Sequence, residues 1–154
     1  MIKKLFLISV LFLTPLSCGF KPIIVNQSEY LININEIIGD NKLNNFIKNE
    51  LNRYNNSESN EIIDIKINST YSKDSITKDI TGNTTEYQLK VTVKFEVTRN
   101  SKTNIINLNE KINFKNTGNK FNLQTYEDNL IKNLASTIVN NLIINILENS
   151  DSQT

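Results

Sequence analysis

Cys18 is the single cysteine of this 154-residue chain, and there is no histidine. A lone thiol with no imidazole partner cannot build a nucleophile–base pair or one of the usual zinc sites. Without a second cysteine no disulfide is available, so the fold is held by packing alone. What precedes Cys18 points to acylation instead. Met1-Ile2-Lys3-Lys4 is a short basic start, Leu5 to Leu13 is an almost unbroken apolar run, and Thr14-Pro15-Leu16-Ser17 leads to the cysteine. The run is too short for a bilayer span, which takes about 20 apolar residues. It has the length of a signal-peptide core, with Lys3 and Lys4 as the basic region before it. This is the layout of a bacterial lipoprotein signal, although Pro15 stands where Leu is usual, three before the cysteine; the alternatives are an ordinary secretory signal with a chance cysteine, or a single membrane anchor. Cleavage after Ser17 would make Cys18 the first residue, with a diacylglycerol on its sulfur and an acyl chain on its amino group. Stable anchoring takes two lipid signals, each buried CH₂ contributing about 0.8 kcal/mol, and this modification exceeds that need. Gly19, not an aspartate, follows Cys18, so the outer membrane is the expected destination.

Other chemistry finds few residues. Glu127-Asp128 is a pair of adjacent acids, but it falls at the start of a helical pattern, where negative charge is favoured electrostatically. No phosphate-binding loop, metal-ligand spacing or nucleophile–base arrangement occurs, so no enzyme and no cofactor beyond the lipid on Cys18 are expected. The chain has 17 Lys and Arg against 16 Asp and Glu, and the leader removes Lys3 and Lys4 but no acid. The mature chain therefore has no basic surplus with which to displace counterions from nucleic acid, and nucleic-acid binding is not expected. Asn and Ile are over-used and Ala is scarce, a pattern of genomic base bias.

These residues divide the chain into a signal peptide (1–17), a lipidated tether (18–29) containing Pro22, a folded domain (30–149) and a frayed tail (150–154). Within the domain, Tyr30 to Glu36 alternates as a first strand. Gly39 breaks it, and Asp40 or Asn41 can cap a helix whose apolar stripe is Leu43, Phe46, Ile47, Leu51 and Tyr54. Ile63, Ile65 and Ile67 alternate with polar residues in a second strand, from about Glu61 into the Tyr71 region. Tyr87, Leu89, Val91, Val93, Phe95 and Val97 alternate in a long third strand. Arg99 to Thr103 reads as a turn, Ile106 to Phe114 as a fourth strand and Asn116 to Asn119 as a loop. Leu130, Leu134, Ile138, Leu142 and Ile146 then recur every four residues, which predicts a helix over about Thr125 to Glu148.

The order β-α-β-β-β-α, with every strand apolar on one face only, predicts an α+β two-layer sandwich: a four-stranded mixed sheet with both helices on one face. The first strand, reaching the sheet through a helix, is expected to lie parallel to its neighbour. The opposite face presents Lys66, Lys90, Thr92, Lys94, Glu96, Lys111 and Lys115, with no apolar patch to mark a hydrophobic partner. It reads either as a solvated face or as a surface that docks into a polar cavity such as the interior of an outer-membrane barrel.

Two local motifs add to this architecture. Cys18-Gly19-Phe20-Lys21-Pro22 is similar to a Cys-Gly-aromatic opening. Gly82-Asn83-Thr84-Thr85-Glu86-Tyr87-Gln88-Leu89 is similar to a Gly-containing hairpin leading into an "EYQ" strand, with Lys73-Asp74-Ser75 in its other arm. With the lipid site and the element order, they make the chain resemble LptE, the lipopolysaccharide-assembly lipoprotein family. The resemblance implies a non-enzymatic, lipid-anchored protein on the periplasmic side of the outer membrane. It further implies an LptD-like β-barrel as a partner that the chain plugs, and lipopolysaccharide as a ligand during its insertion into the outer leaflet. The family's basic contact positions fall near Ile80 and Gln124, making Lys78 (two residues from Ile80, on the same strand face) and Lys120 candidate substitutes for contact with anionic phosphates. Ile23-Ile24-Val25 stands where the family often has an aromatic and a glycine. The alternative is a small periplasmic lipoprotein subunit of another envelope or secretion complex. On the barrel reading, Lys90, Thr92, Lys94 and Lys111 form the partner-facing part of the sheet.

Overall fold

Branched apolar residues at every second position suit a pleated surface buried on one side, and this chain folds accordingly. A computed structural model describes residues 30–151; the leader, Cys18, the tether and residues 152–154 lie outside the described residues. The elements are β1 (Tyr30–Gly39), α1 (Asn41–Asn52), β2 (Glu61–Lys78), β3 (Thr84–Arg99), β4 (Lys102–Lys115) and α2 (Lys120–Asp151). The four strands make one sheet in the order β1-β2-β3-β4. β1 runs parallel to β2 through the α1 crossover, whereas β2-β3 and β3-β4 are antiparallel hairpins. The mixed sheet, the two helices and the element order are those read from the sequence.

The core lies between the sheet and the helices. Ile63, Ile65 and Ile67 of β2 and Leu89, Val91, Val93 and Phe95 of β3 are fully buried against Leu43, Ile47 and Leu51 of α1 and Ala135, Ile138, Val139 and Leu142 of α2. Residues Phe121–Glu148 are long and apolar enough to cross a membrane. The apolar stripe from Leu130 to Ile146, however, is spent on covering the sheet.

Several boundaries differ from the sequence reading, each for an identifiable reason. β2 continues past Tyr71 to Lys78, and β3 begins at Thr84. This part of the hairpin carries little core, so polar residues suffice there; Ser75 and Thr84, for example, join hydroxyl to hydroxyl at 2.8 Å. α2 begins at Lys120 and not near Thr125. The Asn119 carboxamide oxygen accepts from the backbone N–H of Phe121 (3.1 Å) and Asn122 (3.2 Å) and so caps the helix. Because Phe121 is exposed, the first turn carries no apolar periodicity. At the other end α2 runs through Ser150 to Asp151. The β3–β4 turn is narrower than Arg99–Thr103: Asn100 and Ser101, with φ of 49° and 63°, make a two-residue turn between the paired Arg99 and Lys102. Positive φ at both central residues matches the twist of the flanking strands.

β1 has a bulge between Ile34 and Glu36, which turns Glu36 to the open face opposite Lys66. β1 ends at Gly39, where φ is +113° and a Cβ would sit 1.9 Å from the Ser69 carbonyl oxygen. Directly after it, the Asp40 carboxylate accepts from the Leu43 N–H at 2.8 Å and starts α1. Below, the buried Ser69 hydroxyl donates to the Asn44 Oδ1 at 2.7 Å, joining β2 to α1. Gly39→Ala must therefore separate β1 from β2 where the crossover is fixed. Denaturant unfolding should show a loss of at least about 2 kcal/mol, with the circular dichroism of the surviving native state unchanged.

Candidate functional site

The strand register fixes which side chains share the open face. Alternation from the buried Ile65 and Val93 and the half-buried Leu108 leaves Lys66, Lys90, Thr92, Lys94, Glu96, Lys111 and Lys115 on the side without helices. The candidate partner-facing residues Lys90, Thr92, Lys94 and Lys111 thus lie on neighbouring strands of one continuous surface. Its cross-strand rows read Glu36–Lys66–Glu96, Asn68–Lys94–Asn107, Thr70–Thr92–Asn109, Ser72–Lys90–Lys111 and Asp74–Gln88–Asn113. Gln88 donates to Asn113 at 2.9 Å, and Lys94 pairs with Glu96 at 2.7 Å. The hydrogen bond and charge of Lys94 hold the Glu96 carboxyl below its ordinary pKa. Ile38, Ile62 and Ile105 also stand exposed on this face: Ile38 in the row of Asn68 and Lys94, Ile105 beside Glu96 in the row of Lys66, and Ile62 near the start of β1. Exposed ion pairs such as Lys66–Glu36 (3.5 Å) contribute only about 0–1 kcal/mol. Fold stability therefore does not account for the density of charge and amide on this side.

A second polar cluster sits on the helix side, where α2 begins. Tyr71 and Lys73 point inward from β2, and Glu127 of α2 accepts from both: from the Tyr71 hydroxyl, and from the Lys73 ammonium at 2.6 Å. Lys42 of α1 pairs with Asp128. The Lys73 ammonium also lies 4.5 Å from the centre of the Tyr87 ring, and Tyr87, Phe114 and Tyr126 form a chain of ring contacts at 5.5 and 5.9 Å. Burial first, then the Glu127 hydrogen bond and charge, push the Tyr71 phenol well above its ordinary pKa of 10.0. Lys42, Lys73, Leu123, Gln124, Glu127 and Asp128 line an open cavity of about 330 Å³. Its two cations are each matched by an acid, so the cavity is neutral, and its evident role is to fix the first turns of α2 to the sheet.

The tip of the β2–β3 hairpin is a compact turn. The Asp79 carboxylate accepts from the Thr81 hydroxyl (2.7 Å) and from the N–H of Thr81 (2.8 Å) and Asn83 (2.9 Å). The Thr81 hydroxyl bond is the leading cause that keeps Asp79 ionised below its ordinary range. Ile80 is fully exposed on this turn. Lys78 is the last residue of β2, so it does not share a strand face with Ile80, because the turn begins between them. Lys120 is the first residue of α2, a full helical turn before Gln124. The structure therefore does not bring Lys78 and Lys120 to one element. The basic residues beside Gln124 are Lys42 and Lys73, neither of which is a candidate contact from the sequence alone. A signal was present for Lys73: alternation from Ile67 puts it on the buried side, where a charge requires a partner. Cys18 lies outside the described residues. Among those described, no group of three or more His, Cys, Asp or Glu could hold a metal.

Residues 31–146 match the family model described as LptE, lipopolysaccharide-assembly. Among solved structures, the chain is similar to rare lipoprotein B from Shewanella oneidensis at 12% identity and a TM-score of 0.60, over 83% of this chain and 98% of that one. It is also similar to a minor lipoprotein from Acinetobacter baumannii at 18% identity and a TM-score of 0.50, over 77% of this chain and 94% of that one. At these identities the structural likeness is one of fold. No curated protein shows significant sequence similarity to the chain.

The buried phenol gives a measurable signature. Because the folded pKa of Tyr71 lies above the unfolded value, ionising it opposes folding. Its contribution is intact below pH 10 and is lost as the pH climbs from there toward the folded pKa. Ultraviolet titration of the folded domain should show a phenol still protonated well above pH 10. Tyr71→Phe should remove that late step and lessen the alkaline loss of stability.

Proposed function

We propose that this chain, which belongs to the LptE lipopolysaccharide-assembly family, is an outer-membrane lipoprotein that docks its open sheet face inside an LptD-like β-barrel. The family is non-enzymatic and uses no cofactor, and the chain's function is accordingly one of binding and assembly. In this reading the signal peptide is removed before Cys18, lipid on that cysteine holds the domain at the periplasmic surface of the outer membrane, and residues 18–29 give it reach. Lys90, Thr92, Lys94 and Lys111 meet the barrel wall, and the assembled pair inserts lipopolysaccharide into the outer leaflet. Lys78 at the hairpin and Lys120 at the start of α2 are the candidate contacts for its phosphates.

The observation that carries this reading is the one-sidedness of the sheet. Both helices cover one face, while the other presents lysines, amides and hydroxyls across all four strands. The lumen of an outer-membrane barrel is lined by polar side chains that alternate with lipid-facing ones, so a flat hydrophilic sheet can pack there with water-mediated hydrogen bonds. On the helix-covered side the Leu130–Ile146 stripe is spent on the core, while Phe121, Tyr126, Ile144 and Leu147 of α2 stay exposed.

The test is recovery of the tagged, full-length lipoprotein from detergent extracts of its own cells. A large β-barrel protein should accompany it in near-equal amounts and remain attached through size-exclusion chromatography. Recovery of a monomer in every detergent, or of a different envelope complex, would contradict the proposal.

A further inference from the structure

Lys90 and Lys111 are directly opposite each other on the open face, in antiparallel register between β3 and β4. Directly opposite side chains on an antiparallel pair have Cβ atoms about 4.5–5.5 Å apart, and like charges so placed are destabilising. The rest of the face avoids this conflict. Lys66 pairs with Glu36, Lys94 pairs with Glu96, and Lys115 stands opposite Glu86. Lys90 and Lys111 have no ion pair or hydrogen bond from any acid among the described residues; the third member of their row is Ser72, a neutral hydroxyl. Both are exposed. Among the described residues, Lys90 and Lys111 are therefore the one directly opposed pair of like charges on this face; Asp74, a row away on β2, accepts from the Ser72 hydroxyl and pairs with neither. Local conflict in an otherwise consistent sequence marks a place shaped by something other than the fold.

We infer that the Lys90–Lys111 pair is the polar anchor of the sheet face, and that it is filled by carboxylate side chains of the barrel partner, whose negative charge relieves the repulsion. This rests on the docking proposed above and names the chemistry of its contact. Two ammonium groups at this spacing can be bridged by one carboxylate or matched by two acids, each hydrogen bond being charge-assisted. The neighbours argue for protein over lipid as the source of the anion. Thr92, Asn109, Gln88 and Asn113 surround the pair, offering hydrogen bonds to a polypeptide wall. A lipid phosphate brings acyl chains that need apolar contact. The nearest apolar side chains on this face, Ile38 in the Asn68–Lys94 row and Ile105 in the Lys66–Glu96 row, lie two and three rows away.

The experiment compares the full-length lipoprotein with three variants, Lys111→Glu, Lys132→Gln and Lys90→Gln/Lys111→Gln, each co-expressed with the barrel and purified through a tag on the lipoprotein. Lys111→Glu puts an acid opposite Lys90. It should raise the melting temperature of the lipoprotein alone by about 2 °C and lower the recovered barrel by about tenfold. Lys132→Gln removes one exposed charge from α2, on the side away from the open face, and should leave recovery within about twofold. The double variant should lose the steep salt dependence of the wild-type complex while binding lipopolysaccharide micelles as the wild type does. Three outcomes would overturn the inference: undiminished barrel recovery with Lys111→Glu, a melting temperature lowered by it, or a double variant that keeps the barrel but loses the micelles. A wild-type chain that recovers no barrel would remove the underlying reading as well.

Discussion

One constraint organises this domain: a sheet whose side chains alternate at period two can give its apolar half to only one side. Ile63, Ile65 and Ile67, with Leu89, Val91, Val93 and Phe95, commit that side to the core, and α1 and α2 both cover it. Everything left over on the strands must face the other way. Slipping a strand by one residue would exchange the two sets entirely, so the open face is specified as tightly as the core that backs it. Evolution of the outward residues is then free of packing demands, which allows a surface chosen for a partner's chemistry on a scaffold held by other residues.

The two helices are fixed at their starts by polar contacts that packing alone would not provide. Gly39 brings the chain against Ser69, Asp40 caps α1, and Ser69 meets Asn44 beneath it. Farther along β2, Tyr71 and Lys73 reach Glu127 and hold the first turns of α2. Without a disulfide, these directional contacts set where each helix lies on the sheet. They also sit at the root of the β2–β3 hairpin, so the hairpin leaves the domain from a fixed base. Its tip is ordered by Asp79, whose carboxylate gathers the N–H groups and hydroxyl of the turn.

Much of this was legible in the residues because burial writes itself as periodicity. The alternation of Tyr87 to Val97 and the four-residue recurrence of Leu130 to Ile146 correspond to β3 and α2, and the parallel placement of β1 followed from its helical crossover. No alternating trace marks the Ser72–Lys78 arm of β2, since that part of the hairpin buries few side chains; only the resemblance to the family places Lys73-Asp74-Ser75 there. The start of α2 was hidden for the same reason, its cap Asn119 lying in what reads as a loop. Asn44 and Glu50 are buried on α1 but break an apolar stripe, so no pattern announces them. The pairing of Lys73 with Glu127 joins residues far apart in sequence and needs the fold itself. Register was out of reach too. A turn drawn from Arg99 to Thr103 does not say which lysine faces which, whereas the two-residue turn at Asn100-Ser101 sets Lys111 against Lys90. Of the candidate contacts, the open-face residues came together on one surface, while Lys78 and Lys120 ended on separate elements.

The account rests on the open face of the sheet being the side that meets another protein. Site-specific photo-crosslinking in living cells tests this most directly, with the crosslinking residue placed in turn at Thr92 and Asn109 of the sheet and at Asn133 and Thr137 on the solvent side of α2. The account predicts adducts with a large outer-membrane β-barrel from the sheet positions and none from the helix positions. Adducts from the helix positions alone, with the sheet positions silent, would contradict it.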